Sequence, residues 1–212
     1  LREADLTGAN LAGIDLSGMD LSWAILGDLE LSDRDLTGTI LTGLDLTDKD
    51  LTGTILRGAD LTYANLAGID LSGRDLTEAK FNHAKLVDTN LENTNLSNAD
   101  FIQVDFTKIK NKSLVGVNLY GASFTYSNLS GVNLDGALMQ QVNFSNADLS
   151  DVDFSVISHS TRDSPWFEGS LFLNANLSNS NFEGVDMIPT VFDNVNFKNK
   201  ANLKNLEDQE LL

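Results

Sequence analysis

The chain has no cysteine among its 212 residues, so disulfides and thiolate-ligated zinc are excluded and a reducing compartment is permitted. Long apolar runs are missing too. No stretch approaches the roughly 20 residues a membrane helix needs, and the first residues form neither a basic leader nor an apolar signal core. A soluble, cytoplasmic protein with no membrane contact is the expectation. The pattern described below is already running at Leu1, without an initiator methionine, so a trimmed chain or one domain of something longer is expected, lacking an N-terminal cap.

Bases are scarce. Lys and Arg number 14 against 31 Asp and Glu, a net charge of −17, and each phosphate contact needs a Lys or Arg, so direct nucleic-acid binding is not expected. Such acidity suits a basic partner or plain solubility. Catalytic groups are scarce as well: the histidines are His83 and His159 alone, and neither a Gly-rich phosphate loop nor a metal-spaced cluster occurs. The chain is therefore expected to be no enzyme, with no catalytic residue, cofactor or metal. His83 is expected to be a solvated surface residue. The N-x-S matches at Asn111 and Asn128 follow from the repeat grammar and say little about glycosylation.

What is present is a period. Residues 33 to 47, DRDLTGTILTGLDLT, are nearly repeated by 48 to 62, DKDLTGTILRGADLT, yet within each copy Leu recurs every five. From Leu1 to Phe106 every fifth residue is Leu or Phe, 22 positions in a row. The frame slips by three, resumes from Leu114 to Phe154, breaks again, and runs from Phe167 to Phe197. All 11 phenylalanines fall on this one position, so it is the core site. Neither helical spacing nor strand alternation describes it. Two places before this centre, 13 of the first 21 positions carry Ala, Thr or Val, and the residue just before it is usually Asp or Asn.

This A-(D/N)-L-x-x pattern, sustained from residue 1 to 203, resembles the pentapeptide-repeat proteins. The resemblance implies an all-β fold, a right-handed quadrilateral parallel β-helix in which four pentads make one coil and the centre and the small residue two before it point inward. With 38 repeats the solenoid would have nine to ten coils, and at roughly 4.8 Å per strand spacing a length of about 45 Å. Phe81 and Phe101, Phe124 and Phe144, and Phe172 and Phe192 lie twenty residues apart and should stack. Fifteen residues are three sides of a coil, so the longer repeat turns around the rod and does not line one face. The acids just before the first-block centres accordingly divide three to a side, and the Asp and Asn columns are expected to serve turn chemistry.

Arg34, Lys49 and Arg74 occupy the small inward position, as do Ile14, Met19, Leu29, Leu44 and Ile69. Burying an isolated charge is too costly, so stems along the wall with heads escaping at a corner are expected. The N-terminal half should be locally swollen.

The two interruptions, 107–113 with Lys108, Lys110 and Lys112, and 155–166 with His159, Arg162 and Trp166, are the candidate interaction loops; the competing reading is two tolerated insertions at corners. Residues 204–212 are expected to form a short capping helix, with a homodimer contact through this tail as the alternative. Three functions compete, in this order. The first is a non-enzymatic scaffold that contacts a protein partner through loops or a flat face. The second, implied by the family, is a DNA mimic that binds and inhibits a type II topoisomerase (gyrase). The last is an ice-binding surface.

Overall fold

The computed structural model describes residues 1–157, 167–185 and 190–198. Period five has a simple local origin. The carbonyl of most centres accepts a hydrogen bond from the N–H three residues on, as in Ala9 N–H to Leu6 O at 2.9 Å and Ala59 N–H to Leu56 O at 3.0 Å. A four-residue turn plus one bridging residue makes five. The bridging residue, the one just before the centre, pairs in parallel register with its counterpart one coil on: Asp20 with Ile40, then Asp60, Lys80, Asp100 and Ser123. Among the described residues, two extended segments are long enough to count as strands, β1 (Leu171–Leu173) and β2 (Val191–Asp193), and they pair in parallel with Phe172 against Phe192.

The centres form one continuous core, with partial exposure near the two ends at Leu1, Leu11, Phe192 and Phe197. Phe81, Phe101, Phe124, Phe144, Phe172 and Phe192 stack in a single ladder with ring centroids 4.9 to 5.4 Å apart. The three expected pairs are joined because coils of 20, 23 and 28 residues occupy equivalent levels: Asp100 bridges Ser123 and Asn143 bridges Leu171. Each interruption keeps one more inward residue, Ile109 or Ile157, before leaving the frame. Buried hydroxyls at the inward position donate to corner carbonyls, as Thr39 does to Leu16 O and Thr89 to Leu66 O, both at 2.8 Å.

Side-chain size at the inward position decides whether the wall closes. From residue 24 to 99, wherever that position is Ala or Thr, the next residue's N–H reaches the carbonyl one coil below: Ile25 to Ala4, Asp60 to Thr39, Lys80 to Ala59, Asn95 to Arg74 and so on. Wherever it is Leu29, Arg34, Leu44, Lys49, Ile69 or Arg74, that bond is absent. A long side chain holds the coils apart where a methyl lets them meet. Shallow clefts of about 320 to 390 Å³ open at these places, beside Arg34, Leu29 and Lys49. The expected swelling is this unlaced wall.

The three bases are partly exposed, and their heads are held on backbone carbonyls. Arg34 donates to Leu11 O (2.9 Å), Glu30 O (3.1 Å) and Ile14 O (3.3 Å), Lys49 to Leu29 O (3.3 Å) and Gly27 O, and Arg74 to Thr54 O (3.4 Å). Ile14, Leu29 and Thr54 each lie twenty residues below the base that reaches them, and theirs are carbonyls left without an amide partner by the parted coils. The side chain that opens the wall thus satisfies the acceptor it exposes. Arg74 does so least well, since its buried Nε has no partner.

Candidate interaction surfaces

The first interruption does not project from the wall. It folds as two short 3-10 turns, Phe106–Lys108 and Lys110–Lys112, on either side of Ile109, which is buried in the core. Both neighbouring coils hold its backbone: Lys108 O accepts from Asp88 N–H (2.8 Å), Lys110 N–H donates to Thr89 O (3.0 Å), and Lys112 O accepts from Asn133 N–H (2.8 Å). Lys108, Lys110 and Lys112 are exposed on this fixed backbone. His159, Arg162 and Trp166 of the second interruption, Asp186 and Met187 of the repeat, and the 204–212 tail lie outside the described residues.

The bridging carboxylates are tied to their own turns. Asp20, Asp35, Asp50, Asp70 and Asp75 each accept through Oδ1 from the N–H two residues on. The hydroxyl of the Ser or Thr at that place, with its N–H second in most cases, holds the carboxyls of Asp5, Asp15, Asp20, Asp35, Asp50, Asp70 and Asp75 below the usual 3.8. Asn side chains one coil on donate to others, as Asn176 does to Asp148 (2.8 Å) and Asn181 to Asp153 (3.0 Å). Among the described residues the sole ion pair is Arg2–Glu3, at 3.3 Å. Most of the bridging Asp residues therefore spend one carboxylate oxygen on turn chemistry, as expected for the Asp and Asn columns. No group of three or more His, Cys, Asp or Glu among the described residues is arranged to hold a metal, and no described helix could cross a membrane.

One surface went unread in the sequence. Two residues past most centres the backbone has positive φ, and three of the four corner columns fill that place with Gly, Asn, Asp, Glu and the like. The fourth runs from Glu3 through Trp23 (φ 58°), Gly43, Tyr63 (φ 60°), His83 (φ 59°), Gln103 and Tyr126 (φ 62°) before returning to Asn146, Asn174 and Asn194. Tyr63 and His83 stack in parallel at 4.6 Å, so His83 is half-buried and not the solvated residue expected. The indole of Trp23 lies where a Gly43 side chain would be: a Cβ there would come within 2.3 Å of two ring carbons. The signal was the twenty-residue spacing of Trp23, Gly43, Tyr63 and His83, masked beyond Gln103 by the three-residue slip.

Geometry of this kind, a closed core wound by five-residue steps with a hydrogen-bonded outer wall, defines a structural solenoid. The model of the family "Pentapeptide repeats" matches in eight copies over residues 1–38, 15–53, 35–73, 75–110, 118–155 and 167–199. The chain belongs to the pentapeptide-repeat family, and its fold is the right-handed quadrilateral β-helix. Similar solved structures include HetL, a pentapeptide repeat protein involved in heterocyst differentiation regulation from the cyanobacterium Nostoc sp. strain PCC 7120, at 26% identity over 92% of this chain and 86% of that one, with a TM-score of 0.39. QnrB1, a plasmid-mediated fluoroquinolone resistance protein, in a trypsin-treated form, is 20% identical over 92% and 94% with a TM-score of 0.40. Rfr23 from the cyanobacterium Cyanothece 51142 is 23% identical over 69% and 89% with a TM-score of 0.30. No curated protein sequence matches.

Proposed function

We propose that this protein is a non-enzymatic, cytoplasmic scaffold that binds a protein partner through its walls and its two insertions. The observation that carries this reading is the insertion at 107–113, which lengthens one coil to 23 residues, leaves the core ladder unbroken and displays three lysines from a backbone held on both sides. A rigid site that does not disturb the core is free to be shaped by a partner. The test is a pull-down with the intact chain and with deletions that respect the five-residue frame, Lys110–Lys112 (three residues) and 158–165 (eight). Loss of a retained protein on either deletion supports the reading. No protein retained above a bare matrix would sink it.

A second reading, a DNA mimic acting on a type II topoisomerase, draws on the net charge of −17 and on carboxyls held ionised by their turns. Against it, the acids just before the first-block centres divide evenly over four sides, and one oxygen of many is already engaged. The expected result is no inhibition of gyrase supercoiling at low or moderate salt. Inhibition at micromolar protein that fades with salt would put the mimic first.

A further inference from the structure

A bulky side chain in the left-handed region costs the fold something, on the order of 1–2 kcal/mol per residue, and a genuine outlier of that kind points to a use. Three such residues, Trp23, Tyr63 and Tyr126, share one edge of the rod with His83, whereas the other corners carry mostly Gly, Asn and Asp, which adopt positive φ at little or no penalty. Nor do the rings compensate by full burial: Trp23 is 51%, Tyr63 52% and Tyr126 59% exposed. Two isoleucines flank the N-terminal end of this edge, Ile25 at 60% exposure and Ile40 at 36%. They stand at bridging positions where Asp and Asn are usual.

Around these apolar groups lies an acidic rim. Ile40 bridges Asp20 on one side and Asp60 on the other, and Ile25 bridges Asp5. Asp20, Asp45 and Asp60 spend Oδ1 on their turns, and their Oδ2 atoms have no protein partner among the described residues. An aromatic and aliphatic centre inside a polar, charged rim is the anatomy of a protein interface, where Trp and Tyr are the usual anchors. The rim selects the sign of the partner. Guanidinium fits better than ammonium, because it is planar, stacks on aromatic faces and pairs with carboxylate oxygens at the same time.

The geometry points to the edge formed by Trp23, Ile25, Ile40 and Tyr63 as the docking site for an arginine-bearing basic surface of a partner protein. This rests on the scaffold reading and gives it an address separate from the insertions. The test uses Trp166→Phe protein, in which Trp23 is the sole tryptophan. The probes are a synthetic peptide of alternating Arg and Leu, its Lys–Leu counterpart, its Glu–Leu counterpart and a linear glucan oligosaccharide.

The Arg–Leu peptide should shift Trp23 fluorescence saturably and bind more tightly than the Lys–Leu peptide, with affinity falling as salt rises. Trp23→Asn and Tyr63→Asn, followed with a labelled peptide, should each weaken binding about tenfold or more, as removal of an interface anchor does. The same two variants should melt no lower than the parent, because Asn accepts positive φ. Equal binding of the Lys and Arg peptides, binding indifferent to both Asn variants, binding only of the glucan, or no binding at all would each overturn the proposal. If a pull-down partner is lost on deleting an insertion yet kept in Trp23→Asn, the scaffold reading stands and this edge is not the site.

Discussion

Arg34 offers a sharp test of how side-chain size and hydrogen bonding trade places in this wall. Arg34→Met keeps a long stem at the inward position but removes the donors that satisfy Leu11 O, Glu30 O and Ile14 O. The coils stay apart, so the N–H of Asp35 still cannot reach Ile14 O. A hydrogen bond to a charged group contributes about 1.5–3 kcal/mol when desolvated, and Arg34 is half-exposed, so about 1–2 kcal/mol in total is a fair expectation. For a chain of this length that is a fall in Tm of roughly 2–8 °C. Arg34→Ala removes the same donors and more packing, yet lets the coils meet. Asp35 N–H should then bond Ile14 O as Asp60 N–H bonds Thr39 O at 2.9 Å, recovering about 1 kcal/mol. The alanine variant should therefore be the more stable of the two, the reverse of ordinary cavity reasoning. Because coils unfold locally, the deciding assay is hydrogen exchange at the Asp35 amide: fast in the native protein and in Arg34→Met, slow in Arg34→Ala. Protection of that amide in the native protein, or a methionine variant as stable as the native one, refutes the account.

Phe144→Ala, in the middle of the ladder between Phe124 and Phe172, should cost about 3–5 kcal/mol in urea unfolding, whereas exposed Thr37→Ala should stay within about 0.5 kcal/mol; similar small effects at both would remove the ladder as the core. Deleting Lys110–Lys112 returns the centres Phe106 and Leu114 to a five-residue step and should leave Tm within a few degrees of the native value, while deleting two residues there should lower it far more; equal losses would show that the frame is not what holds this coil. Acid should weaken the fold through its turns: the carboxyls of Asp5, Asp15, Asp20, Asp35, Asp50, Asp70 and Asp75 are held below 3.8, so their contribution is complete above the unfolded value and is lost as pH falls through the lower folded ones. A urea midpoint that does not drop between about pH 5 and about pH 2.5 would contradict this.

Core and coil were legible in the sequence because one residue type at one period carries them: a Leu or Phe every fifth place has no other economical reading. The inward role of the small residue was legible for the same reason, and so was the strain caused by Leu29, Leu44 or Ile69 in its place. Where the heads of Arg34, Lys49 and Arg74 go was not. That depends on a backbone acceptor orphaned by the coil separation, a consequence of packing that no local pattern states. The shape of the first interruption escaped as well, since burial of Ile109 turns a lysine-rich break from a loop into part of the wall. The aromatic edge was spelled out by spacing but hidden by an insertion that changes the count from 20 to 23.

A coil length that differs from the repeat length, and that changes at the insertions, uncouples likeness in sequence from likeness in direction. Residues 33–47 and 48–62 are nearly the same words, but a step of fifteen sends every surface residue three quarters of the way round, so the second copy addresses a different part of its surroundings from the first. Phe101 and Phe124, or Phe144 and Phe172, share no regular interval, and they lie face to face. Copying a segment of this chain therefore spreads a feature around the rod, and a feature confined to one edge, as the rings of Trp23, Tyr63 and His83 are, has to be written one residue at a time.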